Sequence, residues 1–186
     1  MTESKEYSEY KEIIATYAQS GDPRIFSNGS QAHATALIET LFSTAQEKIQ
    51  LLSGFLNPEV YDVSSVINEA EKFVLRNGKL EILLEGSEPN HSAENVLNQE
   101  FLLSLRRRLS KEQLASILLL RKSSASGEHP FHLLVADNKA FRFEPNKRDP
   151  KAIASFNNPK LAKQLSRLFE EMRAFYSSEG IALDHC

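Results

Sequence analysis

The chain has 186 residues, 41% of them apolar and 25% charged, which suits one ordinary soluble domain with enough length for a sizeable core. Seven Gly, seven Pro and the lack of any long polar tract exclude a collagen-like, mucin-like or wholly disordered protein. The net charge of −3 hides an asymmetry: residues 1–100 carry 16 acidic and 7 basic side chains, residues 101–186 carry 9 acidic and 15 basic. A basic second half favours anionic partners if the halves stay apart in space, and its field cancels if they interleave.

No apolar run approaches the ~20 residues that span a bilayer, so no membrane span is expected. The opening MTESKEYSEYKEII is acidic and polar, unlike a secretory signal or a transit peptide. Cys186, the only cysteine, excludes an intramolecular disulfide, and as the last residue it does not fit the prenylation pattern. The expected location is cytoplasmic.

In chain order, Tyr7, Tyr10, Ile13, Ile14 and Tyr17 fall at helical spacing, and Gly21-Asp22-Pro23 breaks the helix. A second helix starts near Ser27 or Ser30, with an apolar stripe from Ala34 through Leu37, Leu41 and Ala45 to Ile49. Gln50 to Leu56 reads as a short strand. Asn57-Pro58 opens a helix that runs on through Val63, Val66, Ala70 and Val74 to a stop at Asn77-Gly78. Leu80 to Glu85 is a second strand closed by Gly86, and Ser87 to Ala93 is a loop. A helix then carries Val96, Leu97, Phe101, Leu105 and Leu109, and Ser110 to Gln113 forms a capping box.

Ser116 to Arg121 is a buried-type strand, followed by the loop Ser123 to Gly127. Phe131 to Ala136 and Ala140 to Glu144 form a hairpin turned at Asp137-Asn138-Lys139. Ala152 to Phe156 is a last strand, and Asn158-Pro159 starts a long closing helix. The boundaries expected are an N-terminal helix over 1–22, one domain over 23–178 and a tail over 179–186. The alternation of strands and helices predicts an α/β sandwich with a mixed sheet flanked by helices.

Several chemistries lack their residues. His129 and His132 are the only close pair among five histidines, with no third ligand and no helical frame, so no metal site is expected. Neither phosphate-loop nor dinucleotide-binding glycine patterns occur, nor does a nucleophile elbow, and no cofactor is expected. Arg106-Arg107-Arg108 spans roughly 300° of a helix, so the three cannot share one face. Lys147, Arg148 and Lys151 lie on a loop that could meet a phosphate chain. In structural roles, Asp137 begins the hairpin turn, Arg142 pairs with a carboxylate and Asn158 caps the last helix.

The most specific stretch is His129-Pro-Phe-His132-Leu-Leu-Val-Ala-Asp137, continuing through Arg142 and Glu144 to Ala154-Ser155-Phe-Asn157. Together with Ala-His33-Ala, Leu-Ser53-Gly54 and the order of elements, it resembles the phospholipase D-like superfamily over roughly Ile25 to Phe175. In that superfamily a strand carries H-x-K-x-x-x-x-D, and a later segment carries a G-S-x-N-like element. The resemblance implies a His nucleophile on a phosphodiester, a Lys on the phosphate, and two motifs meeting across a pseudo-dimer or homodimer. With Asp137 in the motif's Asp place, Pro130 takes the His place and His132 the Lys place. With His129 as nucleophile, Phe131 takes the Lys place and Asp137 falls one residue late, on the opposite strand face. Neither register restores the constellation.

The resemblance therefore implies a catalytically degenerate phospholipase D-like domain. Its expected role is to bind a phosphate-bearing ligand, nucleic acid or another protein, as a homodimer, in a bacterial stress or defence system. The candidate binding residues are His129, Asp137, Arg142, Ser155 and Asn157. The alternative is a metal-independent phosphodiesterase or nuclease acting as a homodimer through His132.

Overall fold

The apolar runs of the sequence become the middle of one seven-stranded mixed sheet. The structure, a computed structural model, describes residues 5–85, 99–121, 129–146 and 151–174. Its strands are β1 Phe26–Asn28, β2 Lys48–Ser53, β3 Lys79–Leu84, β4 Ile117–Arg121, β5 His132–Ala136, β6 Ala140–Glu144 and β7 Ala152–Ser155. Across the sheet their order is β1-β7-β6-β5-β2-β3-β4. β2, β3 and β4 run parallel; β5, β6, β7 and β1 join antiparallel. The helices are α1 Lys5–Ser20, α2 Gln31–Thr44, α3 Pro58–Tyr61, α4 Ser64–Leu75, α5 Glu100–Arg108, α6 Lys111–Leu114 and α7 Pro159–Arg173.

The sheet separates two cores. On one face Leu51, Leu80, Ile82, Leu134 and Ala136 pack against the layer built from α1 to α6. On the other, Leu52, Leu83, Leu133, Val135 and Phe141 pack against Ala162, Leu165 and Phe169 of α7. Each fully buried Leu or Phe contributes about 1.5–3 kcal/mol relative to exposure, so both faces of the central strands must be covered. The basic triplet is absorbed locally: Arg107 reaches Glu100, and Arg108 reaches Glu71 and Asn68. Arg173 likewise reaches Glu81, so the basic second half interleaves with the acidic first.

Three boundaries differ from the sequence reading. Ile49 belongs to β2, where it opposes Leu80 and Ala136, because α2 ends at Thr44 and Ala45 is already extended. A helical stripe and a buried strand look alike over so few residues. The helix opened by Asn57 stops at Tyr61, and α4 starts afresh at Ser64. Between them the Asp62 carboxylate turns away to accept the Phe101 N–H at the start of α5. Finally, Phe26–Asn28 forms a short edge strand that no periodicity announced, and Ser30 rather than Ser27 caps α2. Val96, Leu97, Gly86 and the loops at 87–93 and 123–127 lie outside the described residues.

The β5–β6 hairpin is fixed by Asp137. Asp137 and Asn138 both adopt positive φ, +54° and +51°, where short polar side chains are tolerated. The Asp137 carboxylate accepts the N–H groups of Gln46, Glu47 and Lys48 at 2.8–2.9 Å, tying the turn to the start of β2. Asp137→Ala is expected to cost about 3 kcal/mol, since it strips a charged acceptor from three donors. Urea unfolding checks this, and an unchanged midpoint would show that the turn needs no such anchor.

Candidate functional site

The hairpin turn decides which side chains meet. It sets His132 opposite Glu144 and Leu134 opposite Arg142. Strand alternation then points His132, Arg142 and Glu144 to the same face, under α2. Continuing the β2–β5 register by one pair brings Ser53 beside His132. These four line a cavity of about 220 Å³. Gln31, from the first turn of α2, and Tyr61, from α3, line it as well, and Ala34, Ile38 and Val60 supply apolar wall.

Glu144 organises the polar part. Arg142 donates from Nη2 to Glu144 Oε2 at 2.9 Å, and His132 Nδ1 stands 3.4 Å from Oε1. The side chains of Arg142 and Glu144 are each only 11% exposed, so water screens the pair little. Burial pushes the Glu144 carboxyl up, but the hydrogen bond from His132 and the charge of Arg142 outweigh it and hold the carboxyl below its usual range. An ionised carboxylate only accepts, so it fixes a proton on His132 Nδ1 and turns Nε2 outward. His132 Nε2 and Arg142 Nε are both buried with no hydrogen-bond partner among the described residues. A Cβ on Gly54 would come within 3.3 Å of His132 Nε2, so the bare backbone there keeps that approach open. Burial also pushes the Tyr61 hydroxyl above its ordinary value, so it stays a neutral donor at the wall.

Of the residues singled out from sequence, only His132 and Arg142 come together here. Asp137 closes the far end of β5, roughly 16 Å along the strand, engaged by its three backbone donors. Ser155 donates to the Pro23 carbonyl and Asn157 to the Gly21 carbonyl, so both tie the end of β7 to the turn after α1. His129 stacks on Phe131, and its backbone N–H donates to Glu85 at 2.6 Å. Sequence reasoning passed over Glu144, Gln31, Ser53 and Tyr61. Glu144 was within reach: a turn at 137–139 already dictates that it opposes His132. No group of three or more metal-ligating side chains occurs among the described residues, and none of their helices is long and apolar enough to cross a membrane.

The depressed Glu144 carboxyl has a consequence for stability. A group whose folded pKa lies below its unfolded value stabilises fully above the ordinary value of 4.5 and loses that contribution as pH falls below it. Glu144→Gln is therefore expected to flatten the acid limb of a stability-against-pH profile below about 4.5. Identical acid limbs for the variant and the parent would contradict the pairing.

Comparison with known structures identifies the architecture. The chain superposes on TrmBL2, an archaeal chromatin protein described with a novel mode of DNA binding, with TM-score 0.58 and 16% identity. The match covers 91% of this chain and 60% of that one, so this chain spans well under two thirds of that protein. Nuc from Salmonella typhimurium, a phospholipase D family member, matches with TM-score 0.52 and 15% identity over 86% of this chain and 97% of that one. NucT from Helicobacter pylori matches with TM-score 0.53 and 12% identity over 85% and 98%. No curated protein shows significant sequence similarity to the chain. Identities this low speak to the fold alone, and that fold is phospholipase D-like. Residues 30–175 match the family model described as Domain of unknown function (DUF7931), and the chain belongs to that family.

Proposed function

We propose that this domain binds a small phosphate-bearing ligand in the cavity between α2 and strands β2, β5 and β6, and that it has lost the hydrolytic chemistry of phospholipase D enzymes. The observation that carries the reading is the pair of buried, unpartnered nitrogens, Arg142 Nε and His132 Nε2, on one cavity wall. An orphaned buried donor costs about 1–3 kcal/mol, which an incoming acceptor oxygen relieves. The N-terminal turn of α2, with Ser30 and Gln31 at the cavity, adds the positive end of the helix dipole. With Asp137 in the motif's Asp place, the nucleophile's place is Pro130, which has nothing to attack with. Arg142, from the neighbouring strand, then stands in for the missing lysine as the fixed cation.

Size and charge favour a small ligand over a nucleic-acid strand. The cavity is about 220 Å³, below the roughly 300–1,000 Å³ of ordinary ligand pockets. Arg107, Arg108 and Arg173 are already engaged by carboxylates. Glu144 also cancels one positive charge inside the cavity, so binding rests on oriented hydrogen bonds more than on net field. Calorimetry with inorganic phosphate is expected to show binding that changes little between low and physiological salt, unlike the steep loss of a polynucleotide site. Arg142→Ala is expected to weaken it at least about tenfold. No binding by the parent chain at millimolar phosphate would contradict the reading.

One observation favours an enzymatic alternative. Glu144 holds His132 through Nδ1 and leaves Nε2 facing the cavity beside Arg142, which is the arrangement of an oriented imidazole nucleophile with a cation for the phosphoryl oxygens. A homodimer would have to supply the second imidazole as acid. Chelator-treated protein is expected to hydrolyse bis(p-nitrophenyl) phosphate at the background rate, with His132→Ala indistinguishable from it. A dimer in light scattering with turnover lost in His132→Ala would replace the binding-module reading by this one.

A further inference from the structure

Two buried polar side chains lie beyond the cavity and before the family's matched segment, which begins at residue 30. Asn28 is 2% exposed, and neither atom of its amide has a hydrogen-bond partner among the described residues. The Tyr10 hydroxyl on α1 is likewise buried and unpartnered. Buried polar atoms are rarely left so, and several together ask for a polar guest.

The sheet register connects them to the cavity. Asn28 opposes Ala152 across β1 and β7, and Arg142 opposes Ala154 across β6 and β7. Continuing the second register by one pair sets Ala152 beside Glu144. One cross-strand row thus reads Asn28, Ala152, Glu144, His132, and the row beside it runs from Phe26 through Ala154 to Arg142. Between the two polar ends β7 presents only methyl groups. The Asn28 and Glu144 backbones stand two strand spacings apart, roughly 10 Å. Tyr10 is held over this region by stacking on His33, with ring centroids 3.9 Å apart. Burial pushes its hydroxyl up to about 12 against the opposing charge of Arg142, so it is a neutral hydroxyl able to donate and accept.

We propose that Asn28 and Tyr10 are specificity residues for the organic part of the ligand. With the phosphate on Arg142 and His132, a phosphate monoester bearing hydroxyl or amide groups reaches across β7 to the Asn28 amide and the Tyr10 hydroxyl. The inference rests on the phosphate-binding reading and adds the ligand's second half. An ester with a plain hydrocarbon tail leaves both polar groups unmatched, and a site built to hydrogen-bond a hydroxyl rejects the analogue that lacks it.

The test compares glycerol 3-phosphate with n-propyl phosphate, which share a three-carbon chain and differ in hydroxyls, with inorganic phosphate as reference. The full chain is expected to bind the glycerol ester about tenfold more tightly than the propyl ester. Tyr10→Phe and Asn28→Ala are each expected to remove most of that preference while leaving inorganic phosphate binding unchanged. A merely structural Tyr10 would behave otherwise: losing an unpartnered buried hydroxyl leaves Tm unchanged or raised and does not touch ester preference. Equal binding of the two esters by the parent, or a preference kept in Tyr10→Phe, overturns the inference and leaves phosphate binding standing. Failure of the parent to bind inorganic phosphate overturns both.

Discussion

A buried carboxylate between a guanidinium and an imidazole governs this site. Three ionisable groups on one shielded strand face would be costly to fold unless their charges were mutually satisfied. Glu144 satisfies them by taking one nitrogen from Arg142 and facing one of His132, and so dictates where their remaining nitrogens point. The same contact limits the site. A carboxylate that orients two cationic side chains also subtracts from the charge they offer a phosphate. A pocket built this way selects by direction and shape, whereas a hydrolytic site needs uncancelled charge where the transition state develops it.

The clamp depends on elements far from it. Asp137 sits at the other end of β5, yet by gathering three backbone N–H groups of the 46–48 segment it locks the hairpin to β2 and fixes which residue of β6 opposes which of β5. A slip of one residue would turn Arg142 and Glu144 toward α7 and into an apolar core. On the outer side, β7 brings Ala152 and Ala154 to the face where larger side chains would fill the path to β1. The α1 helix covers that side, pinned by Tyr7 donating to Glu39 and by Lys11 at 2.6 Å from the same carboxylate. Ser155 and Asn157, whose matching segment in phospholipase D enzymes belongs to the catalytic motif, here fasten the chain leaving α1.

Much of the fold was legible because its elements announce themselves locally. The Asn57, Ser110 and Asn158 caps, the Asp137-Asn138 turn and the alternation of β6 all stand where their side-chain chemistry requires. What stayed hidden depends on distance in sequence. β1 has three residues, and its pairing with β7 brings together positions 26–28 and 152–154, which no local period reveals. The site was half legible for the same reason. His132 and Arg142 were conspicuous beside a family motif, but Gln31 and Tyr61 reach the cavity from helices a hundred residues upstream, and Glu144 needed the hairpin register to be followed to its end. The charge asymmetry misled in the opposite direction, because Arg108 and Arg173 find their carboxylates in the acidic half.

The central claim is that the unpartnered nitrogens of Arg142 and His132 converge on a phosphate. A crystal structure of the chain grown with tungstate, a heavy tetrahedral oxyanion located by its anomalous scattering, tests it most directly. The account predicts one anion in the cavity, within hydrogen-bond distance of Arg142 Nε and His132 Nε2, with the Glu144 contacts intact. An empty cavity with tungstate bound only at surface lysines, or an anion that displaces Glu144 from Arg142, would contradict it.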